Sequence, residues 1–227
     1  MGRAARYVLL FSLALTLRCV AQRADATFRV HVLGPDSLLT ADTPVVAWLS
    51  PLNGGPAPQR GTRTFKMDQK GKQFLPHLLV VPVGSTVEFP NLDPFFHNVF
   101  SLFNGRRFDL GLYETGQSQA VKLPREGISY IFCNIHPEMG GVILSLATPY
   151  FASSSSSDIV IRGVPPGSYK LSVWNEHATS ESLTAAARVV TVSADMNDPT
   201  SVTLAMSPRG AQKHPNKYGE QYPLWKP

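Results

Sequence analysis

Short runs of β-branched and aromatic residues, each stopped by Gly, Pro, Asn or Asp, recur along this chain at roughly 8 to 12 residue spacing and constrain its fold more than any other feature. Residues 27–32 alternate apolar and polar side chains, residues 44–49 are rich in Val and Trp, and Gly34-Pro35-Asp36-Ser37 separates them as a turn. Similar runs follow at 64–68, 77–82, 85–89, 97–103, 119–123, 128–133 and 141–147, while the Pro- and Gly-dense stretch 51–61 reads as an exposed loop. With 19 prolines and 17 glycines in 227 residues, no amphipathic helix of useful length is expected between the breaks. The expected class is all-β, built from sandwiches.

A run of serines at 153–157 reads as a linker or a polar hairpin tip, and places a boundary near Pro149. Beyond it lie further strand signals at 158–162, 168–174, 187–192 and 201–206, with Pro165-Pro166-Gly167 as a turn. The expected organisation is a leader at 1–21, a first sandwich at 27–148 with extra N-terminal strands, a small second sandwich at 149–206, and a tail at 207–227. The tail is polar and aromatic without an apolar period, and is expected to drape over a surface or hang loose.

Arg3 and Arg6, the apolar run 7–17 and the small residue Ala21 read as a secretory signal. A membrane anchor needs about 20 apolar residues, and Arg18 stops this run; Arg18 also disfavours lipidation of Cys19. Ala24-Asp25-Ala26 offers a second cleavage point. The expectation is an exported protein, in the periplasm, with no membrane span once the leader is gone. The formal net charge is +5, but Arg3, Arg6 and Arg18 leave with the leader, so 21 basic residues become 18 against 16 acidic ones. That balance, with no clustered basic stripe, gives no basis for nucleic-acid binding. Cys19 leaves too, and Cys133 becomes the only thiol in an oxidising compartment: an intermolecular bridge, an inert buried thiol, or a ligand or nucleophile.

The neighbours of Cys133 decide among these. Cys133-Asn134-Ile135-His136-Pro137-Glu138-Met139-Gly140-Gly141 carries a thiol, an imidazole and a thioether at i, i+3 and i+6. On one continuous strand Cys133 and His136 would point apart, and Cys133 and Met139 would stand about 20 Å from each other. The chain has to turn for them to meet, and Pro137 with Gly140-Gly141 is the expected means. Thiolate and thioether are soft donors and imidazole is intermediate, a set that suits copper. Zinc is the main competitor, yet structural zinc takes four strong donors drawn from Cys and His, and a thioether serves it poorly. A trigonal copper site needs a second imidazole, and His97, in Asp93-Pro94-Phe95-Phe96-His97-Asn98-Val99, is the best candidate. His31, His77, His177 and His214 have no matching partners. The absence of a His-x-His pair, a second mature cysteine or a Gly-x-Ser-x-Gly elbow argues against an enzyme.

His97-Asn98-Val99 followed by the later Cys133-x-x-His136-Pro137-x-Met139 loop resembles the cupredoxin family, and the short loop is most similar to that of amicyanins. Residues 79–89 resemble the strand, turn and strand before the first histidine in that family, and the likeness spans about residues 64–147. It implies a Greek-key β-sandwich holding one type 1 copper, with His97, Cys133 and His136 as strong equatorial donors and Met139 as a weak axial one. It implies that Asn98 tethers the Cys133 loop by hydrogen bonds. It also implies that electrons pass through the outer edge of His136, within an apolar patch to which Pro94, Phe95, Phe96 and Pro137 contribute. Phe96 departs from the family, where proline often precedes the histidine, and this alters the rim more than the ligand set. The region around Gly163-Val164-Pro165-Pro166-Gly167 resembles the small transthyretin-like sandwich of carboxypeptidase regulatory modules.

The expected function is an exported copper protein that shuttles single electrons between redox partners. Two alternatives fit the same residues: a copper-binding protein for storage or delivery, and a structural or carbohydrate-contacting β-protein.

Overall fold

The computed structural model describes residues 25–36, 39–41, 43–53, 63–102, 106–195, 198–207 and 216–220. The leader with Cys19 and Ala21, His214 and most of the tail lie outside the described residues. Ala26, the alternative cleavage point, is buried as the first residue of a strand.

The described residues are all-β apart from one short helix, and their strands form two sandwiches. The first is built from two sheets. One contains β3 (Thr64–Lys66), β7 (Thr86–Pro90) and β10 (Ser118–Lys122) in the order β10-β7-β3. The other contains β6 (Leu78–Pro82), β8 (His97–Ser101), β9 (Phe108–Tyr113), β11 (Gly127–Cys133) and β12 (His136–Leu146) in the order β6-β12-β11-β8-β9. A two-stranded hairpin, β4 (Asp68–Lys70) and β5 (Gln73–Leu75), sits beside them. Period-2 alternation places Val87, Phe89, Val99, Ile131 and Ile143 in one shared core.

The second sandwich corrects the expected boundaries. β1 (Ala26–Leu33) pairs with β14 (Asp158–Val164) and β17 (Thr200–Thr203), and β2 (Val45–Pro51) pairs with β13 (Phe151–Ser154) and β15 (Gly167–Trp174), which carries β16 (Arg188–Val192) at its other edge. The two N-terminal strands are therefore not additions to the first sandwich. They bury Phe28, Val30 and Leu49 against Ile159, Ile161 and Leu171, in a core that contains no described residue of the first sandwich. The first sandwich is an insertion between β2 and β13. The serines at 155–157 form a bend that carries the chain from one sheet of the second sandwich to the other.

The two sandwiches meet face to face. Val142 and Leu144 of β12 pack against Val46 of β2 and Trp174 of β15, with Trp48, Ile128 and Tyr130 alongside. This contact explains why residues 142–146 are buried on both faces and read as an almost unbroken apolar run, where a sheet wetted on one side would alternate. His77 Nε2 and Glu176 Oε2 span the same junction at 2.6 Å. The helix α1 (Ser180–Ala186), two turns long, starts at Thr179, whose hydroxyl accepts the Ser182 N–H as an N-cap.

Candidate metal centre

β11 ends at Cys133 and β12 begins at His136, so the two donors are cross-strand partners flanking the two-residue turn Asn134-Ile135. The turn is tighter than expected and does not use Pro137 or the glycines. Phe132 pairs with Gly140 while Cys133 pairs with His136, which leaves Pro137, Glu138 and Met139 outside the ladder as a bulge. The bulge changes which face Met139 takes: its side chain is buried, in the same apolar cluster as Cys133. Gly141 serves close packing rather than bending. A Cβ there would lie 3.1 Å from Phe74 Cβ and 3.2 Å from the His77 carbonyl.

His97 opens β8 and is fully buried. Asn91 shapes the loop before it, accepting the Asp93 N–H at 3.0 Å and donating to the Phe95 carbonyl at 2.8 Å. This turn aims Asp93 back at His97, whose Nε2 lies 2.8 Å from Asp93 Oδ2. Sequence reasoning missed Asp93. Its signal was a carboxylate four residues before a candidate ligand histidine, in an otherwise apolar loop. The carboxylate also accepts the N–H groups of Gly71 and Lys72 at 2.7 and 2.9 Å, at the tip of the β4–β5 hairpin. Burial works to raise the Asp93 pKa, but the Lys72 N–H, the His97 ring and the Gly71 N–H outweigh it and hold the group below the ordinary carboxylate value. An ionised carboxylate can only accept, so His97 carries a proton on Nε2 and Nδ1 is the ring nitrogen that faces Cys133.

Cys133 Sγ lies 3.7 Å from His97 Nδ1 and 3.4 Å from His136 Nδ1, and the ligand atoms of the three residues all fall within 4.8 Å of one another. Among the described residues this is the one group of His, Cys, Asp and Glu side chains that converges in this way. Bonds of roughly 2.0 to 2.3 Å from a single metal would set nitrogen and sulfur donors about 3.5 to 3.8 Å apart, and the two sulfur–nitrogen separations are close to that. Burial pushes the Cys133 thiol up, although the N–H groups of Asn98, Ile135 and His136 favour the thiolate. Burial, then the nearby His97 and Lys72, holds His136 below the usual imidazole value, which favours the neutral ring that a metal requires. His31 and His77 pair with Asp158 and Glu176 instead, and neither approaches the centre.

Asn98 Oδ1 accepts the Asn134 N–H at 3.3 Å, and its Nδ2 donates to Asp109 Oδ1 at 2.8 Å and to the Gly111 carbonyl at 2.9 Å. On the outer side, His136 and Pro137 are half-buried and Phe96 is 50% exposed. Leu92 and Ile135, not singled out from sequence, are exposed as well. Phe95 is less a surface residue than a wedge: its ring stands 5.2 Å from that of His97 and 5.5 Å from that of His136, with Lys72 Nζ 5.7 Å from its centroid.

No protein-family model matches the chain, and no curated protein matches it. Parts of it are similar to solved structures. A copper-containing nitrite reductase from Thermus scotoductus SA-01 is 26% identical over 37% of this chain and 22% of its own, with a TM-score of 0.35. A purple cupredoxin from Nitrosopumilus maritimus is 26% identical over 36% of this chain and 99% of its own, at 0.34. A reduced amicyanin variant is 20% identical over 44% of this chain and 98% of its own, at 0.34. At such TM-scores the likeness carries no weight of its own, and the chemistry of the centre is read from its residues.

Proposed function

We propose that the chain is a mononuclear copper protein that passes single electrons between redox partners, binding the metal through His97, Cys133 and His136 with Met139 as a weak fourth donor. The observation that carries this reading is the convergence of one thiol and two imidazole Nδ1 atoms, with Asp93 setting the tautomer of His97, in a pocket where His97 and Cys133 are fully buried. A bound copper ion would supply reversible one-electron chemistry, with the thiolate and thioether making both oxidation states accessible in one geometry. The protein's part is to hold the donors still and dry. His97 is fixed by Asp93, Cys133 by the two-residue turn and by Asn98, and neither can follow a change in the metal's preference without breaking those contacts. His136 is half-buried beside an apolar rim of Leu92, Phe96 and Ile135, which suits brief docking of a redox partner at its edge. Export through the leader, a single type 1 site and a transthyretin-like second sandwich serving as a mount belong to the same proposal.

Titrating purified protein with Cu(II) tests it. An intense thiolate-to-copper absorption band that saturates at one equivalent, reduces reversibly and is lost in Cys133→Ala is expected. A band that survives Cys133→Ala, or no band at all, refutes the assignment. Rapid loss of Cu(I) to a mild chelator would favour storage or delivery over electron transfer.

A further inference from the structure

The tail was expected to drape over a surface or hang loose, and residues 216–220 form a built turn beside the centre. Asn216 Oδ1 accepts the N–H groups of Tyr218 and Glu220 at 3.0 and 2.9 Å, and the Asn216 N–H reaches the Glu220 carbonyl at 2.8 Å. This self-closed turn presents two donors of Lys217 to the sandwich. The Lys217 N–H donates to Asn134 Oδ1 at 2.9 Å, and Lys217 Nζ donates to Asp109 Oδ2 at 2.7 Å. Asn134 follows Cys133 directly. With the bonds already described from Asn134 N–H to Asn98 Oδ1 and from Asn98 Nδ2 to Asp109 Oδ1, the contacts close into a ring: Asn98, Asn134, Lys217, Asp109 and back to Asn98.

We infer that this C-terminal turn is a positioning element of the metal centre, holding the Cys133–His136 turn from outside as Asn98 holds it from inside. The inference rests on the copper reading above. The ring joins two strands, the ligand turn and a segment more than 80 residues away, and Asn134 is the only member on the ligand turn. Without Lys217, Asn134 keeps its backbone bond to Asn98 but its side chain loses its fixed partner, and the Asp109 carboxylate loses the cation beside it. Outer contacts of this kind typically change metal affinity 10- to 100-fold when removed. A segment that merely covered the surface would leave affinity untouched.

The test compares Lys217→Met, which removes the ammonium alone, with Lys217→Pro, which removes the N–H as well, both in the full chain. Amide hydrogen exchange at Asn134 and Ile135 is read in the metal-free protein, and Cu(I) and Cu(II) affinities are read by chelator competition. Lys217→Pro is expected to speed exchange at these amides at least about tenfold and to lower copper affinity about tenfold, with Lys217→Met in between and the melting temperature of the sandwiches unchanged. Copper affinity and spectrum equal to the parent in both variants would overturn the inference, whether or not exchange rises, and would leave the copper reading standing. A parent protein that takes up no copper, with exchange faster in the variants, would refute the copper reading and leave the tether in place.

Discussion

Replacing Asp93 with Asn keeps the shape of the side chain and removes its charge. The carboxylate accepts three donors: Gly71 N–H on Oδ1, and Lys72 N–H and His97 Nε2 on Oδ2. An amide has one accepting oxygen, so either orientation sets an NH2 group against a donor. If the NH2 faces His97, it also faces the Lys72 N–H, which loses its acceptor, and the ring is driven to carry on Nδ1, pointing at Cys133, a proton that a metal has to displace. If it faces Gly71, one part-buried N–H loses its partner, at a cost of about 0.5 to 1.5 kcal/mol to the metal-free fold. The first outcome lowers copper affinity by roughly 10- to 100-fold, or about 1.4 to 2.7 kcal/mol. Chelator competition reads affinity and urea unfolding of the metal-free protein reads stability, so the two outcomes separate. A variant matching the parent in both would refute the claim that Asp93 sets the state of His97.

The thiol gives a pH dependence of known sign. Because burial raises the Cys133 pKa in the folded state, its contribution to metal-free stability is fully present below the ordinary thiol value, about 8.5, and is lost as pH rises through the folded value. Parent stability should therefore fall above about pH 8.5 relative to Cys133→Ala, and parallel curves would refute the shift. With the His136 pKa held below the usual imidazole value, apparent copper affinity should rise close to tenfold per pH unit between about pH 7 and 8.5, one proton leaving per metal bound; a hundredfold rise would mean a second proton leaves and would refute this reading. Gly141→Ala forces a Cβ against Phe74 and the His77 carbonyl and should destabilise by about 1 to 3 kcal/mol, measured by urea unfolding. An unchanged midpoint would refute the close-packing role.

Local pattern was enough to find most strands and the three side chains that converge, His97, Cys133 and His136, because alternation and residue spacing are properties of short segments. Family likeness implied that Asn98 bonds to the Cys133 loop, and its Oδ1 accepts the Asn134 N–H there. What short segments do not encode is partnership. Nothing within residues 27–49 indicates that these strands pair with strands more than 100 residues later, since either sandwich would accept the same alternation. β9 escaped notice because Asp109 and Gly111 interrupt its apolar run, although Asp109 faces Asn98 and Gly111 sits at φ +73°. The helix escaped because two turns are too short to show a 3.6-residue period; its capping residue Thr179, followed by Glu181 in the first turn, was the available sign. The contacts of Asp93 and Lys217 depend on folded geometry alone, one across a proline-bearing loop and the other from a tail whose composition named no partner.

The insertion of the metal-bearing sandwich has a consequence for the order in which the chain acquires shape. Its last strand ends at Leu146, so a growing chain holds every strand of that unit while the strands that complete the outer sandwich are still to be made. β1 and β2 must wait, their apolar faces uncovered, for segments that arrive last. The insert leaves and re-enters its host at neighbouring points, where Leu49 is bonded to both Thr148 and Tyr150. Such adjacent ends are what allow one domain to be grafted into another without disturbing it. The graft here is nevertheless not freely removable: excising it would strip Val46 and Trp174 of the cover given by Val142 and Leu144 and leave an apolar patch on each fragment.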